Sequence, residues 1–477
     1  MNTTAAAATR ILHLLSNSIP QSQPHLNQIQ AQLILHNLRS NTTVARHFIS
    51  AIASQSQSLS LSLSFLHHSL PLFFSHLHTR PHVFTCNSLI KAFAHSHTPR
   101  VPHSLYSYML RHSIAPNNYT YPFLLKSLSD SKDFEQGRCV HSHVVKLGHS
   151  RDIYVLNALL NLYASWGRMG LCRQVFDEMP ERDVVSWTVL IMGYRNAGEY
   201  GDALVAFEKM GYAGVVPNRV TMVNALGACG SYRAVEMGIR IHDFIRRNRW
   251  EMDVILGTSL IDMYFKCGRV EEALGVFASM EKKNVYTWNA VIKGLAFAKC
   301  GEDAVWWFNR MEQEGHKPDE VTLINVLSAC SHSGLVDIGR EIFGFLLDGK
   351  YGFSPGVKHY ACMIDLLVRS GFLEDGLKLI GEMPSEPTKS MWGSLLAGCK
   401  ARGNLELGEV VAKELLELEP ENSAYYIVLS NLYAQMERWD DVAKTRELMK
   451  HRGLNKDMGC SSVESELREN YQCLLSQ

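Results

Sequence analysis

The amino-acid sequence predicts an all-α fold, a right-handed α-solenoid superhelix of helix-turn-helix repeats that are 31–37 residues long. Three observations support this prediction: segments repeat without gaps, apolar residues recur at three- and four-residue intervals, and glycine marks one place in most repeats. A chain of 477 residues is too long for one compact core. A repeat array accommodates that length because each unit packs against its neighbours.

Three kinds of unit recur along the chain. The segments 184–218 and 285–319 align over 35 residues and share a tryptophan at the fourth place, Trp187 and Trp288. A 31-residue unit occurs at 153–183 and again at 254–284. A second 35-residue unit occurs at 118–152 and 219–253, with a 37-residue relative at 320–356. The unit lengths therefore alternate in a fixed order.

Each unit contains two predicted helices joined by a turn. Glycine occupies the fifteenth place of most units and is expected to form this turn, but Lys299 breaks the rule. At the twentieth place the side chain is small, and we expect it to let the two helices of one unit cross closely. These small residues are Gly137, Cys172, Ala203, Gly238, Ala273, Ala304, Gly339, Gly376 and Gly408. Tryptophan, phenylalanine and methionine at helical spacing are interpreted as core.

Composition and motifs argue against an enzyme and predict no cofactor, no metal and no small-molecule substrate. Basic and acidic residues balance at 47 each, and none of the 11 cysteines forms a C-x-x-C pair. The cysteines are interpreted as reduced core thiols. Phosphate-binding and nucleophile-elbow motifs are also absent. No apolar run reaches the roughly 18 residues that a membrane span needs, so no membrane partner is expected.

The N-terminal segment has the composition of an organellar targeting peptide. Residues 1–24 are rich in Ala, Ser and Thr, and the first acidic residue of the chain is Asp130. Arg10 stands beside an apolar cluster that begins at Ile11, which favours the mitochondrion slightly over the chloroplast. A disordered start in a cytosolic protein is the alternative.

The alternating unit lengths resemble the pentatricopeptide repeat family of land plants, in its PLS subclass, where P, L and S units follow one another. Residues 25–82 resemble degenerate L and S units that a Ser/Leu-rich insertion stretches. Nine units then follow in P-L-S order, at 83–117, 118–152, 153–183, 184–218, 219–253, 254–284, 285–319, 320–356 and 357–388.

Residues 389–457 resemble the two E-type motifs of editing factors in this subclass, with the strings ELEPEN at 417–422 and SNLYA at 430–434. Many such relatives continue into a DYW deaminase domain, where H-x-E and C-x-x-C place a glutamate beside a zinc-bound water. Neither motif occurs here, and the short tail 458–477 departs from the family pattern after Ser461. The resemblance therefore implies the E subgroup, with a DYW-type deaminase and accessory editing proteins acting in trans.

The resemblance also implies single-stranded RNA as the partner, with the fifth and last residues of each unit contacting one base. Aspartate only accepts hydrogen bonds and suits uracil or guanine, whereas asparagine also donates and tolerates cytosine or adenine. The pairs carried over from the family are Asn87 with Asn117, Asn157 with Asp183, Thr188 with Asn218, Thr258 with Asn284, and Asn289 with Asp319. They imply, in order, C or U, then U, A, A and U.

The L units carry Pro122, Val223 and Ile324 at the fifth place and should discriminate weakly. The last S-like unit, with Ala361 and Thr388, implies no base. The implied footprint, from 5′ to 3′, is C/U-n-U-A-n-A-U-n-n. Helix capping by Asn or Thr is the alternative role for residues of the pairs.

Second-place residues are expected to wedge between successive bases. They are Tyr154, Val185, Ile255 and Tyr286. Ordinary packing between helices is the rival interpretation.

The leading functional hypothesis is a site-recognition factor for organellar C-to-U RNA editing. One alternative is an organellar factor for RNA stability, splicing or processing without a role in editing. A second is a protein-interaction α-solenoid scaffold, against which the alternation of 35, 35 and 31 residues argues.

Overall fold

The computed structural model describes residues 83–94 and 100–454, together with five isolated positions before residue 33. These residues form 22 helices and no strand. The predicted targeting segment 1–24, the degenerate repeats 25–82 and the tail 458–477 lie outside the described residues, apart from those isolated positions. Within the described part, no helix is both long and apolar enough to cross a membrane.

The chain forms two compact units, 1–250 and 251–477. The first contains α1 Val83–Ala94, α2 Arg100–Arg111, α3 Tyr121–Ser131, α4 Phe134–Lys146, α5 Ile153–Ser165, α6 Met169–Glu178, α7 Val184–Ala197, α8 Tyr200–Tyr212, α9 Arg219–Tyr232 and α10 Val235–Arg247. The second contains α11 Val254–Lys266, α12 Val270–Ser279, α13 Val285–Phe297, α14 Gly301–Gln313, α15 Glu320–Ser333, α16 Val336–Leu347, α17 Val357–Ser370, α18 Leu373–Glu382, α19 Lys389–Arg402, α20 Leu405–Leu418, α21 Ser423–Gln435 and α22 Trp439–His451.

Helices pack in two layers within each compact unit. The first helices of successive repeats lie side by side, as α3, α5, α7 and α9 do in one unit and α11, α13, α15, α17 and α19 in the other. Each second helix packs against its own first helix and against the next one, as α8 does with α7 and α9. This arrangement is an α-solenoid, so the predicted fold class is confirmed. In both compact units the first helices carry the fifth-place residues of the predicted pairs, which are Asn87, Asn157, Thr188, Thr258 and Asn289.

The turn between paired helices has left-handed backbone at the fifteenth place wherever the structure describes it. Gly198 and Gly334 have φ of 82° and 70°, as the glycine rule predicts. Lys299 keeps the same turn with φ of 61°. The same conformation occurs at Lys132, Arg233 and Glu437. The repeat therefore imposes the turn even where the residue has a Cβ, at a cost of about 1 kcal/mol per site.

The small twentieth residue also permits close contact with the following repeat, which the sequence analysis did not predict. A Cβ added at Gly137 would lie 2.2 Å from Trp166, which follows α5 in the next repeat. A Cβ at Gly339 would lie 2.2 Å from Leu366 in α17, again in the next repeat. At these two glycines the closest atoms belong to the following unit, whereas a Cβ at Gly376 would lie closest to Val368 of its own unit, at 3.3 Å. Both contacts occur because the second helix packs between two first helices. The small residue sets the distance between repeats as well as within them.

Aromatic core contacts repeat from one unit to the next. Phe176 meets Trp187 edge to face at a centroid distance of 4.7 Å, and Phe277 meets Trp288 in the same way at 4.8 Å. Both tryptophans are buried, as the sequence predicts. Cys172 is buried as well, and burial raises the pKa of its thiol to about 12. That thiol is a protonated core group at neutral pH.

Candidate nucleic-acid interface

The last residue of four predicted pairs caps the first helix of the next repeat. Asp183, Asn218, Asn284 and Asp319 each adopt extended backbone, and each side chain accepts a hydrogen bond from a backbone N–H of the helix that follows. The capping alternative considered for these residues is therefore real at the last place. It does not exclude a second role, because a cap uses only one of the two polar atoms on the side chain.

The fifth residue contacts that cap directly in the three units that have asparagine there. Nδ2 of Asn157 donates to Oδ1 of Asp183 at 3.2 Å, and Nδ2 of Asn289 donates to Oδ1 of Asp319 at 3.0 Å. Nδ2 of Asn87 donates to Oδ1 of the remaining last residue, Asn117, at 2.9 Å. The structure thus brings together the residues that the sequence pairs across about 30 positions.

A buried hydroxyl, which the sequence analysis missed, completes each of these pairs. It belongs to the third residue of the next repeat. The Ser186 hydroxyl lies 2.8 Å from Oδ1 of Asn157, and the Thr322 hydroxyl lies 2.6 Å from Oδ1 of Asn289. Thr120 contacts Asn87 in the same way at 2.7 Å.

Threonine at the fifth place uses the same partner. The hydroxyl of Thr188 lies 2.6 Å from that of Thr221 and donates to the backbone oxygen of Val184. Thr258 lies 3.4 Å from Thr287 in the equivalent position. Because the Thr188 hydroxyl donates its only proton to the backbone, its oxygen can accept a hydrogen bond from an incoming base but cannot donate one.

The polar atom that each pair leaves for a ligand differs in chemistry according to the last residue. The hydrogen bonds that Asp183 accepts from Asn157 and Ser186, and those that Asp319 accepts from Asn289 and Thr322, end on Oδ1, so Oδ2 can accept from a ligand. In Asn218 and Asn284 the capping bonds also end on Oδ1, which leaves the Nδ2 donor. Asn117 follows the same rule.

Both aspartates are held ionised. Burial opposes ionisation of Asp183, but hydrogen bonds from the Ser186 amide and hydroxyl and from Asn157 outweigh it and lower the pKa of the carboxyl group. The balance is the same at Asp319, where Asn289 and Thr322 donate and the pKa is again lowered. Each carboxylate is therefore an acceptor throughout the neutral range.

The second-place residues are exposed apolar side chains that lie close to the pairs in the sequence. Tyr154, Val185, Ile255 and Tyr286 expose 71%, 45%, 68% and 72% of their surface. Such exposure is unusual for large apolar groups that serve the core. The equivalent residues of the other repeats, which the sequence analysis did not include, are exposed too; they are Phe84, Tyr119, Val220 and Val321. Their position one residue after each repeat start could have identified them.

The L units lack the pair. Pro122, Val223 and Ile324 are half-buried at the fifth place and carry no side-chain hydrogen-bonding group. In the first L unit the last residue, Asp152, instead accepts from Nδ2 of Asn118, the first residue of the same unit. Within the described residues, no group of three or more His, Cys, Asp or Glu is placed to hold a metal ion.

The fold and these side chains define a helical-repeat protein with a polar site in five of its repeats. Comparison with known proteins makes the class specific. The PPR repeat family model matches residues 81–130 and 283–332, the PPR repeat model matches 154–184, 258–285 and 359–387, and the pentatricopeptide repeat domain model matches 181–232. The E motif model matches residues 402–464.

The chain belongs to the pentatricopeptide repeat family, and its E motif fits the E subgroup of the PLS class. Pentatricopeptide repeat-containing protein At2g22410, mitochondrial, from Arabidopsis thaliana is 31% identical over 92% of this chain and 83% of its own length. At1g31920 of the same plant is 39% identical over 80% of this chain, and At1g08070, chloroplastic, is 40% identical over 75% of it. The chain spans 63% and 48% of the lengths of these last two relatives.

A solved structure has the same fold. The pentatricopeptide repeat protein PPR10, crystallised in complex with an 18-nt psaJ RNA element, matches with a TM-score of 0.70 and 16% identity. The match covers 90% of this chain and 64% of that protein. At this identity the likeness bears on the fold alone.

Proposed function

We propose that the protein binds single-stranded RNA and recognises one base per P or S repeat through the fifth and last residues. The observation that carries this proposal is the set of polar atoms that the pairs leave for a ligand, which are acceptors where the last residue is aspartate and donors where it is asparagine. An exposed apolar side chain stands two positions after each of these last residues in the sequence. Single-stranded nucleic acids are bound by this combination of base-edge hydrogen bonds and stacking surfaces.

Base preference follows from the outward atoms. The carboxylates of Asp183 and Asp319 accept from the ring N–H of uracil and repel the bare ring nitrogen of cytosine. The amide donors of Asn218 and Asn284 suit adenine, whose ring nitrogen accepts. The resulting footprint is C/U-n-U-A-n-A-U-n-n, with the L repeats discriminating weakly.

We further propose that the bound RNA lies next to a cytidine that is edited to uridine. The E motif at 402–464 supports a docking role for this end of the protein. A DYW-type deaminase, recruited in trans with accessory editing proteins, would supply the zinc-activated water that attacks the base. The repeats supply site selection and no chemistry.

An organelle is the proposed site of action, with the mitochondrion slightly ahead of the chloroplast. Relatives named mitochondrial and chloroplastic support an organelle without choosing between the two. The choice rests on Arg10 and the apolar residues that follow it.

Deep sequencing of mitochondrial and chloroplast RNA from a loss-of-function plant, beside wild type, tests the editing role. We expect one or a few cytidines to lose conversion, each a few nucleotides downstream of a match to the footprint. Intact editing together with a shifted transcript end or splice junction would replace the editing role with one in RNA processing. Re-expression of the wild-type chain is the control that ties either change to this protein.

A further inference from the structure

A hydroxyl at the third place of a repeat occurs wherever the preceding repeat has a polar pair. We call these five places the polar junctions; their hydroxyls belong to Thr120, Ser186, Thr221, Thr287 and Thr322. We call the three places where a repeat follows an L unit the L junctions; there the third residue is Val155, Leu256 or His359. In the unit that follows the last S-like unit, the third residue is Met391. From residue 118 to residue 391, the hydroxyl thus occurs after every repeat with a polar pair and after no other repeat.

These hydroxyls cannot touch a base themselves. All five residues have a relative exposure of 0%. Each contributes through its neighbours, and Thr322 shows how. Its oxygen lies 2.6 Å from Oδ1 of Asn289 and 2.8 Å from Oδ1 of Asp319, so its one proton lies between two acceptors. The same oxygen accepts the backbone N–H of Asp319 at 3.1 Å.

These contacts close a ring that fixes both side chains that would contact the base. The carbonyl oxygen of Asn289 faces the hydroxyl, so its amide nitrogen faces Asp319, to which it donates at 3.0 Å. Oδ1 of Asp319 accepts this bond and one from the backbone N–H of Thr322, so Oδ2 is the carboxylate oxygen that these bonds leave for a base. Removing the hydroxyl would leave a buried carbonyl oxygen without its donor and free the asparagine to move.

Helix capping alone does not explain the hydroxyl. At the L junctions Asp152 accepts the backbone N–H groups of Tyr154 and Val155, and Asp253 accepts that of Leu256. Both helices are capped although the third residue is apolar. The hydroxyl must therefore have a role connected with the polar pair, which the polar junctions have and these two L junctions lack.

We propose that the third-place hydroxyls are positioning residues for base recognition, so that each polar junction specifies its base through three residues rather than two. This inference rests on the proposed function, because it assigns a further specificity determinant to the same sites. It concerns which base is preferred at a site and not whether RNA binds at all. Serine and threonine are equivalent in this role, since Ser186 makes the contacts that Thr120 and Thr322 make.

The test measures base preference one junction at a time, with full-length protein and fluorescein-labelled RNA of the footprint sequence. Fluorescence anisotropy gives Kd for the RNA with uracil opposite repeat 285–319 and for the same RNA with cytosine there. Thr322→Val removes the hydroxyl at nearly constant shape, and Thr322→Ser restores it. Loss of about one net hydrogen bond predicts that Thr322→Val lowers the cytosine-to-uracil ratio of Kd by about 3- to 10-fold, whereas Thr322→Ser keeps it.

Two internal controls separate positioning from folding. In Thr322→Val the preference opposite repeat 153–183, which Ser186 serves, should remain at its wild-type value. If Thr322→Val fails to fold by circular dichroism, Ser186→Ala gives the same test at repeat 153–183, with repeat 285–319 as its control. Val155→Thr at an L junction should change no preference.

An unchanged uracil preference in folded Thr322→Val, or in folded Ser186→Ala, would overturn the inference while leaving base recognition by pairs in place. Equal loss of preference at every repeat would also overturn it, because positioning is local. If the wild-type chain itself showed no preference opposite either repeat, the proposed function would fail, and the inference with it. The wild-type measurement therefore distinguishes the two failures.

Discussion

Polar junctions and L junctions are built on the same backbone and differ in what they offer a ligand. At the junction around Asp319, a fifth residue, a cap and a buried hydroxyl form one hydrogen-bonded group with an outward carboxylate oxygen. At the junction around Gly356 the fifth residue is Ile324, and His359 bonds to the Gly356 N–H and to the carbonyl oxygen of Glu320. The comparison teaches that the repeat fixes where a base site can lie, while a few side chains decide whether one exists.

Exchanging one pair for another should give the largest effect. Asn289→Thr with Asp319→Asn reproduces the pair of repeat 184–218 and replaces the outward acceptor by a donor. We expect the preferred base opposite this repeat to change from uracil to adenine, with a swing of about 1–3 kcal/mol, roughly 5- to 150-fold. Binding to RNAs that carry each base at this position measures it. Ile324→Thr with Gly356→Asn, which leaves His359 in place at an L junction, is the matched control and should create no comparable preference.

Removing a stacking side chain should lower the affinity for RNA by a similar amount, whichever base is present. Tyr286→Ala removes an exposed second-place ring, and we expect affinity to fall by about 1–3 kcal/mol for all footprint variants alike. Tyr212→Ala is the control, because that side chain is 89% exposed at the end of α8, in the other layer. Equal losses in both variants, measured by anisotropy, would count against a wedge at the second place.

Ionisation of Asp319, at a polar junction, should give uracil preference and the free energy of unfolding a defined dependence on pH. The pKa of Asp319 is lowered in the folded protein, so its contribution to the free energy of unfolding is fully present above the unfolded value of about 4. That contribution is lost as pH falls through the folded pKa. Uracil preference should therefore be constant from pH 8 to pH 5, and urea unfolding of Asp319→Asn should show a weaker loss of stability below pH 4 than wild type. A uracil preference that declines already between pH 7 and pH 5 would contradict this account.

The smallest expected effect concerns the turns, which both kinds of repeat share. Lys299→Gly relieves left-handed backbone at φ of 61°, and we expect it to stabilise the protein by about 0.5–1 kcal/mol. Lys293→Gly, at an exposed position inside α13, should instead destabilise it by about 1 kcal/mol. Thermal unfolding measures both. A lower midpoint for Lys299→Gly would show that the lysine makes contacts that outweigh the strain.

Much of the fold could be predicted because the same sequence pattern occurs in many repeats. The buried Trp187 and Trp288 and the turn glycines each recur at fixed places, so periodicity alone predicts paired helices. The packing partner of Gly137 could not be predicted in this way, because its neighbour Trp166 lies in the next repeat. A pattern within one unit carries no information about the distance between units.

The candidate site was only partly accessible to sequence. Fifth and last residues stand out because the family pattern points to them. Their hydrogen bond to each other, as between Asn157 and Asp183, depends on two helices meeting and needs coordinates. The sequence shows a serine at position 186, but a serine three residues after an aspartate is also the pattern of an ordinary capping box. Only the contrast with Val155 and Leu256, whose helices are capped without a hydroxyl, gives it meaning.

The most direct test of the account is a scan of the footprint RNA against the wild-type protein, with every position changed in turn to the other three bases. The account predicts a strong dependence of Kd on the base at the five positions opposite polar junctions. It predicts weak dependence at the three positions opposite L units, although they alternate with the others along the same strand. Equal sensitivity at all positions, or none at any, would contradict it.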